Sequence, residues 1–582
     1  MTNFQDKANF IWQVADDILR GSYKQHEYGD VILPFVVLRR LDCVLEAKKE
    51  KVLETYNKFK KTLPDVHRVL LKASGLNFYN TSKYDLQRLS QDSKNLELNF
   101  NNYVNGFSEN VREILENFQT DKIIEKLNKN KLLFLMVGKF TEIDLHPDKV
   151  SNHEMGYIFE ELIRRFNEQA NETAGEHFTP REVIRLMVNV LFAENKNDLR
   201  KKGIIRTLYD PACGTGGMLT IGKEHILDNI NPNAEIIVFG QEINPQSYAI
   251  AKSDALIMDE EADNIRFGNS FTEDKFVGKK FDYMLSNPPF GVSWKKEQDF
   301  IENEATNPQG RFFAGTPRVN DGSLLFLQHM ISKMEPKGSR LAIVFNGSPL
   351  FTGDAGGGES NIRKWIIEND MLEAIIGLPN QLFYNTGIST YIWIVTNKKP
   401  QKRKGKVQLI NAVDFFEKMR KSLGNKRNII SENQIKGISS IYEKFEESEY
   451  CKIFDNRYFG YTKVTVERPL RDEQGNIVKD NKGNVKPDAN LRDTENVPLT
   501  ESIDEYFKRE VLPHVPDLPA EVTHGGTQAG AWMDRSKDKV GYEISFTKYF
   551  YKYQPLRPLS EITSNILKLE EETEGLLKEI LK

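Results

Sequence analysis

Apolar positions recur at helical spacing from the start of the chain. Phe10, Ile11, Val14, Ile18 and Leu19 repeat every three to four residues, and Gly21-Ser22 interrupts them. A second apolar segment, Val31 to Leu45, trails into the charged stretch KKEKVLETYNKFKK. Strand alternation is scarce, so residues 1–145 read as a helical domain that packs on another part of the chain. The texture then changes. Apolar runs at Ile204–Tyr209, Ile236–Gly240, Phe281–Ser286, Arg340–Phe345, Leu372–Leu378 and Tyr391–Thr396 alternate with amphipathic stretches, and the first three end in turns rich in Gly, Asn or Pro. Strands alternating with helices predict an α/β fold: a Rossmann-like, doubly wound parallel sheet over residues 146–415, with ligands at the carboxyl ends of the strands.

Beyond Asn397 the chain becomes charged and turn-rich. A short strand at Val407–Ile410 can still join the sheet. Residues 416–557 read as a mixed or linker region, with hairpin signals at DEQGN and DNKGN. Residues 558–582 read as a terminal helix. Its positions Leu559, Ile562, Ile566, Leu569, Thr573, Leu576 and Ile580 form a heptad seam broken only by Thr573. So short a seam calls for a partner helix, within this chain or outside it.

Composition narrows the possibilities. The 582 residues carry 80 Lys+Arg against 84 Asp+Glu, a formal charge of −4. A protein gripping DNA by phosphates alone would be basic, so any nucleic-acid contact must use local patches or a partner. Cys43, Cys213 and Cys451 are too few and too dispersed for a disulfide scaffold or zinc module, which fits a reducing, cytoplasmic setting. The longest apolar run near the start is interrupted by Pro34 and the first residues lack a signal-peptide core, so neither membrane spanning nor secretion is expected. No His/Cys/Asp cluster suggests a metal.

Three motifs carry candidate chemistry. Asp210-Pro-Ala-Cys-Gly214-Thr215-Gly216-Gly217 lies between the first strand and a helix, where glycines allow a sharp turn and helix-start amides face a ligand. It lacks the Gly-Lys-Ser/Thr of a phosphate loop. Glu242 closes the next strand, placed to accept hydrogen bonds from ribose hydroxyls. Ser286-Asn287-Pro288-Pro289-Phe290-Gly291 follows the third strand. Its prolines fix a rigid turn that presents the Asn287 oxygen, a backbone carbonyl and an aromatic face, a set suited to a planar ring bearing an NH2 group. Each motif taken alone also admits a purely structural reading as a turn.

Together the three motifs resemble the S-adenosylmethionine-dependent amino-methyltransferases of DNA, the adenine-N6 group in particular. The segment Glu176-His177-Phe178-Thr179-Pro180-Arg181 resembles the N-terminal cofactor segment of type I restriction–modification modification subunits, as do VLRRLD, FTGDAGGGESNIRKWIIEND and LPNQLFYNTGISTYIWIVTN. Locally, Thr179 also reads as a helix N-cap followed by Pro180. The resemblance implies S-adenosylmethionine held by residues 176–181, Asp210, Gly214–Gly217, Glu242 and Asn269, and the target amine held by Asn287, Pro288, Pro289 and Phe290. Asn269 stands where many such enzymes carry an acid. The implied partners are double-stranded DNA, a specificity subunit bound by two such chains, and a restriction/translocase subunit. Methylation of a protein glutamine, and a non-catalytic assembly role, are the competing readings. Cys213 is expected to be a packing residue. The 353–358 glycine loop is open between a mobile flap over DNA and a plain loop, and the Lys398–Lys406 run between a solvated face and a phosphate contact.

Overall fold

The computed structural model describes residues 3–170, 179–258, 260–384, 386–515, 530–551 and 557–580. They form two compact units, Met1–Ile544 and Ser545–Lys582. The first opens with helices from Asn3–Leu19 to Leu133–Thr141. Helix Tyr28–Leu45 is buried on nearly every face, Pro34 included, and acts as the central rod of this domain. Its VLRRLD segment locks the neighbouring chain. Arg39 Nε donates to Ile143 O at 2.7 Å. Arg40, fully buried, donates to Val150 O at 2.8 Å and to Asn152 Oδ1 at 2.6 Å. Asp42 accepts from Leu86 N at 2.8 Å and from the Tyr103 hydroxyl at 2.7 Å. Arg40 thereby fixes the start of helix Asn152–Ala170, which walls the candidate site.

The strands are β1 (Ile205–Asp210), β2 (Glu235–Glu242), β3 (Ile265–Phe267), β4 (Tyr283–Ser286), β5 (Arg340–Asn346), β6 (Leu372–Gly377), β7 (Thr390–Thr396), β8 (Lys406–Asn411), β9 (Glu417–Leu423), β10 (Lys426–Ile429), β11 (Cys451–Asp455), β12 (Gly460–Glu467), β13 (Asp493–Pro498) and β14 (Trp532–Tyr542). Nine of them build one sheet in the order β11-β8-β6-β7-β5-β4-β1-β2-β3. From β3 to β5 every pairing is parallel, as expected. Two strands run the other way: β7, antiparallel to both β5 and β6, and the edge strand β11, antiparallel to β8. Among the described residues no helix lies between β6 and β7 to make a parallel crossover, so the chain returns as a hairpin. Strand β8 does join the sheet, and β11 covers its edge.

The C-terminal part of this unit adds the β9–β10 hairpin and an antiparallel sheet ordered β13-β12-β14. Between β12 and β13 the DEQGN and DNKGN turns close on Asp472 and Asp480, whose carboxylates accept from Asn476 N at 2.8 Å and Asn484 N at 2.9 Å. The 353–358 loop is packed rather than open. Arg363, 1% exposed, donates to Thr352 O at 2.8 Å and Pro349 O at 3.0 Å, and a Cβ on Gly358 would stand 1.7 Å from Thr316 O. Within the Lys398–Lys406 run, Lys398, Lys402, Lys404 and Lys406 are exposed, while Lys399 and Arg403 turn inward. Lys399 pairs with Asp370 at 2.6 Å and Arg403, fully buried, with Glu194 at 2.8 Å.

The second unit holds helices Phe546–Phe550 and Leu559–Ile580. On the latter, seam residues Leu559, Ile566 and Leu569 are exposed. Among the described residues no helix is long and apolar enough to cross a membrane.

Candidate active site

Strands β1 and β4 are parallel neighbours, so the glycine turn and the Asn-Pro-Pro turn leave the sheet at the same end. A buried hydrogen bond ties the two tips, with Ser286 Oγ donating to Asp210 Oδ1 at 2.9 Å. Ala212 N donates to the same carboxylate oxygen at 3.0 Å. Burial, with Glu242 nearby, pushes the Asp210 carboxyl up to about 7. Beyond it the chain turns through left-handed glycines, Gly214 at φ 55° and Gly216 at φ 86°, into helix Gly217–Asn229. Cys213 is packed beneath the turn, as expected: a Cβ on Gly240 would lie 2.8 Å from its sulfur.

Glu242, at the tip of β2, braces this turn. Its Oε2 accepts from Gly214 N at 2.8 Å and its Oε1 from Asn244 N at 2.7 Å. Asn244 in turn caps helix Pro245–Ile257. Asn269 belongs to the same neighbourhood. Its Oδ1 accepts from Phe271 N at 2.8 Å and its Nδ2 donates to Glu297 Oε1 at 3.0 Å, so an acid does stand here, supplied from beyond the Asn-Pro-Pro turn.

Asn287 is half-buried. Its Nδ2 donates to Thr179 Oγ1 at 2.9 Å, while its Oδ1 is buried with no hydrogen-bond partner among the described residues. Buried polar atoms are normally paired, so such an oxygen marks a place for a donor from elsewhere. The Thr179 contact corrects the cap expectation. Helix Arg181–Ala193 begins after Pro180, whose carbonyl receives the first helical amides, and the Thr179 hydroxyl is engaged by Asn287 instead of capping. Pro288 is buried and Pro289 half-buried. The half-buried Phe290 ring meets Phe383 edge-on, with centroids 6.4 Å apart.

Two cavities meet at Asn287. The narrower, about 70 Å³, runs along Gly214, Thr215 and Gly217 past Thr179, Arg181 and Asp210. The wider, about 430 Å³, is walled by Glu242, Asn269, Phe271, Pro289 and Trp294. Gly216 shapes the turn from behind, where a Cβ would meet Ala251 at 3.6 Å. Glu176, His177 and Phe178 lie outside the described residues.

Some wall residues carry no motif of their own. Arg181 donates through Nε to Glu160 at 3.0 Å and lies 3.6 Å over the Tyr157 ring. The Tyr384 hydroxyl donates to the other Glu160 oxygen at 3.0 Å, and burial raises the Glu160 carboxyl. The helical spacing of Gly156, Phe159 and Glu160 was the available signal for a shared face. Arg311 clamps the wider cavity from outside, donating to Ser270 O at 2.8 Å and Phe271 O at 2.5 Å while paired with Glu304. No local pattern marks that arginine.

A family model described as N-6 DNA Methylase matches residues 150–459, and one described as HsdM N-terminal domain matches residues 7–140. The Type I restriction enzyme MjaIX methylase subunit of Methanocaldococcus jannaschii is 28% identical over 457 residues, 76% of this chain and 77% of that one. The fold is shared with the methyltransferase subunit of a type I restriction–modification system from Streptococcus thermophilus, at TM-score 0.58 and 20% identity over 78% of this chain and 96% of that one. It is shared as well with a chain from a structural study of complex assembly in a type I system, at TM-score 0.50 and 18% identity over 100% of this chain and 98% of that one. With over half its length matched by the first model, the chain belongs to the N-6 DNA methylase family, among the methylase subunits of type I restriction–modification systems.

Proposed function

We infer that this chain transfers a methyl group from S-adenosylmethionine to the N6 amine of an adenine swung out of double-stranded DNA, with a separate specificity subunit reading the sequence. The observation that carries this reading is the buried Asn287 Oδ1, without a hydrogen-bond partner among the described residues, at the junction of two cavities. One amine hydrogen satisfies that oxygen and the Pro288 carbonyl is the second acceptor.

The residues present fit the cofactor. Glu242 and Asn269 would hold its nucleoside end in the wider cavity, and Thr179, Arg181, Asp210 and the Gly214–Gly217 turn its amino-acid end in the narrower one. The turn leaves room for close approach, since a Cβ on Gly217 would meet nothing within 4 Å. Bound there, S-adenosylmethionine supplies an electrophilic methyl carbon.

The chain's own contribution is alignment. An aromatic amine is a poor nucleophile because its lone pair is delocalised into the ring. Accepting both N–H groups at Asn287 Oδ1 and the Pro288 carbonyl favours a pyramidal nitrogen and aims the lone pair. Holding that geometry supplies roughly 7–11 kcal/mol of the barrier. The rigid Pro288-Pro289 backbone keeps the acceptors fixed, and Phe290 stacks on the base, offsetting part of the few kcal/mol that extrusion costs. In the assembly, two such chains per specificity subunit dock through the exposed Leu559–Leu569 seam, and a restriction/translocase subunit joins them.

The test is Asn287→Ala in the assembled complex. Adenine methylation should vanish while calorimetry still detects cofactor binding. Full activity in that variant would end the reading, and tritiated methyl groups appearing in protein instead of DNA would favour glutamine methylation.

A further inference from the structure

The β9–β10 hairpin has no core of its own. Lys418, Arg420, Lys421 and Arg427 are exposed, and among the described residues none of the four makes an ion pair or a side-chain hydrogen bond. That distinguishes them from Lys399 and Arg403, whose charges are consumed inside the fold. Glu417 is the only acid on either strand. A two-stranded ribbon without a core of its own is marginal alone, so something must hold it in shape.

The holding is done at the turn and along β10. Gly424-Asn425 forms a two-residue turn, with Gly424 at φ 58°, and this fixes the ribbon's twist. Asn425 N donates to Tyr384 O at 2.7 Å and Arg427 N to Gln381 O at 2.9 Å. The Lys426 ammonium is buried, donating to Leu382 O at 2.8 Å and pairing with Glu182. Asn428 Nδ2 donates to Asn380 O at 2.9 Å. The anchoring segment, Asn380–Tyr384, is the one that sets Phe383 against Phe290. A rigid cationic ribbon is thus bolted to the wall of the proposed base pocket.

We propose that the Glu417–Ile429 hairpin grips the DNA backbone beside the extruded adenine, with Lys418, Arg420, Lys421 and Arg427 on phosphates. This rests on the DNA-methylation reading. A two-stranded ribbon fits the B-DNA major groove, and phosphate contacts position a protein without reading sequence, which leaves that task to another subunit. In a chain with a net charge of −4, any direct contact with phosphates must come from such a local patch.

The test measures binding of the full-length chain to a fluorescent 30-base-pair duplex of mixed sequence across a salt series. The variant K418S/R420S/K421S/R427S is compared with wild type, with circular dichroism and S-adenosylhomocysteine calorimetry verifying its fold. Each lost phosphate contact lowers the slope of log K against log salt by about 0.9, so the slope should fall by about 3 to 4. K418R/K421R should keep the wild-type slope. An unchanged slope in the quadruple variant overturns the proposal while leaving the methylation reading standing. Loss of specificity-subunit binding with the DNA slope unchanged assigns the ribbon to a protein partner and overturns it equally. Absence of duplex binding by wild type at low salt overturns the ribbon proposal, while the methylation reading is decided separately by Asn287→Ala in the assembled complex.

Discussion

Thr179 and Asn287, 108 residues apart in sequence, are joined by a 2.9 Å hydrogen bond in which the amide nitrogen donates to the hydroxyl. That contact decides which way the amide faces and leaves Oδ1 toward the cavities. Asn287→Ala should lower the methylation rate constant at least about 100-fold, in the range seen when one preorganised hydrogen-bonding group is removed. Thr179→Val removes the acceptor and frees the amide to rotate, for a loss of about 10-fold, near the worth of one hydrogen bond. Thr179→Ser should restore most of the rate. Single-turnover kinetics separate the three, and cofactor affinity should change little in Thr179→Ser and Asn287→Ala.

Glu242 both braces the glycine turn and lines the wider cavity. Glu242→Ala should weaken S-adenosylhomocysteine binding by about 10- to 100-fold, corresponding to one charge-assisted hydrogen bond. Glu242→Gln keeps an oxygen for Gly214 N and should fall between that variant and wild type. Calorimetry measures each, and equal affinities in all three proteins would remove Glu242 from the cofactor site.

Arg340 and Glu373 form a bidentate pair at 2.9 and 2.8 Å, with the two side chains 4% and 0% exposed. Tyr442 and Glu373 are also hydrogen-bonded. Arg340→Met removes the bidentate partner of a buried carboxylate, leaving it the Tyr442 hydroxyl and the Arg403 guanidinium at 3.8 Å, and should cost about 3–5 kcal/mol in urea unfolding. Adding Glu373→Met removes that carboxylate, and the double variant should recover much of that loss.

Asp42 provides a pH signature. Burial pushes its carboxyl up to about 6, against 3.8 for the free group. The folded state therefore holds the proton more tightly, and its stability falls as pH rises from about 4 to about 6, then levels. Asp42→Asn has no such proton. Its stability relative to wild type should rise across that window by up to about 3 kcal/mol, because tenfold tighter proton binding is worth about 1.36 kcal/mol. Paired thermal melts from pH 4 to 8 measure it, and a constant difference would contradict the assignment.

The sheet was legible because its strands are short apolar runs closed by Gly, Asn or Pro. Their positions follow from periodicity, but direction does not, so the reversal of β7 came only with the structure. Strands β9, β10 and β14 were hidden because KMRKSL and MDRSKDKV face water and show little alternation. Their order derives from hydrogen bonds to Gln381, Tyr384 and the neighbouring β12, partners distant in sequence. The same limit applied at the site. The motifs named Asn287, Glu242 and the glycine turn, whereas Glu160, Glu297 and Arg311 reach their places by contacts that no local pattern encodes. The lysine-rich 398–406 stretch is mostly solvated, as its composition suggests, but the inward turn of Lys399 and Arg403 was not legible because Asp370 and Glu194 lie far from them in the chain.

Cys43, Cys213 and Cys451 all lie inside the packed interior. A thiol-reactive dye therefore finds no target on the native molecule, and any label it leaves counts only the molecules that have opened. The three sulfurs sit in the central helix of the N-terminal domain, beneath the glycine bend and on the outermost strand of the sheet, so mapping which is tagged first would show which region comes apart earliest.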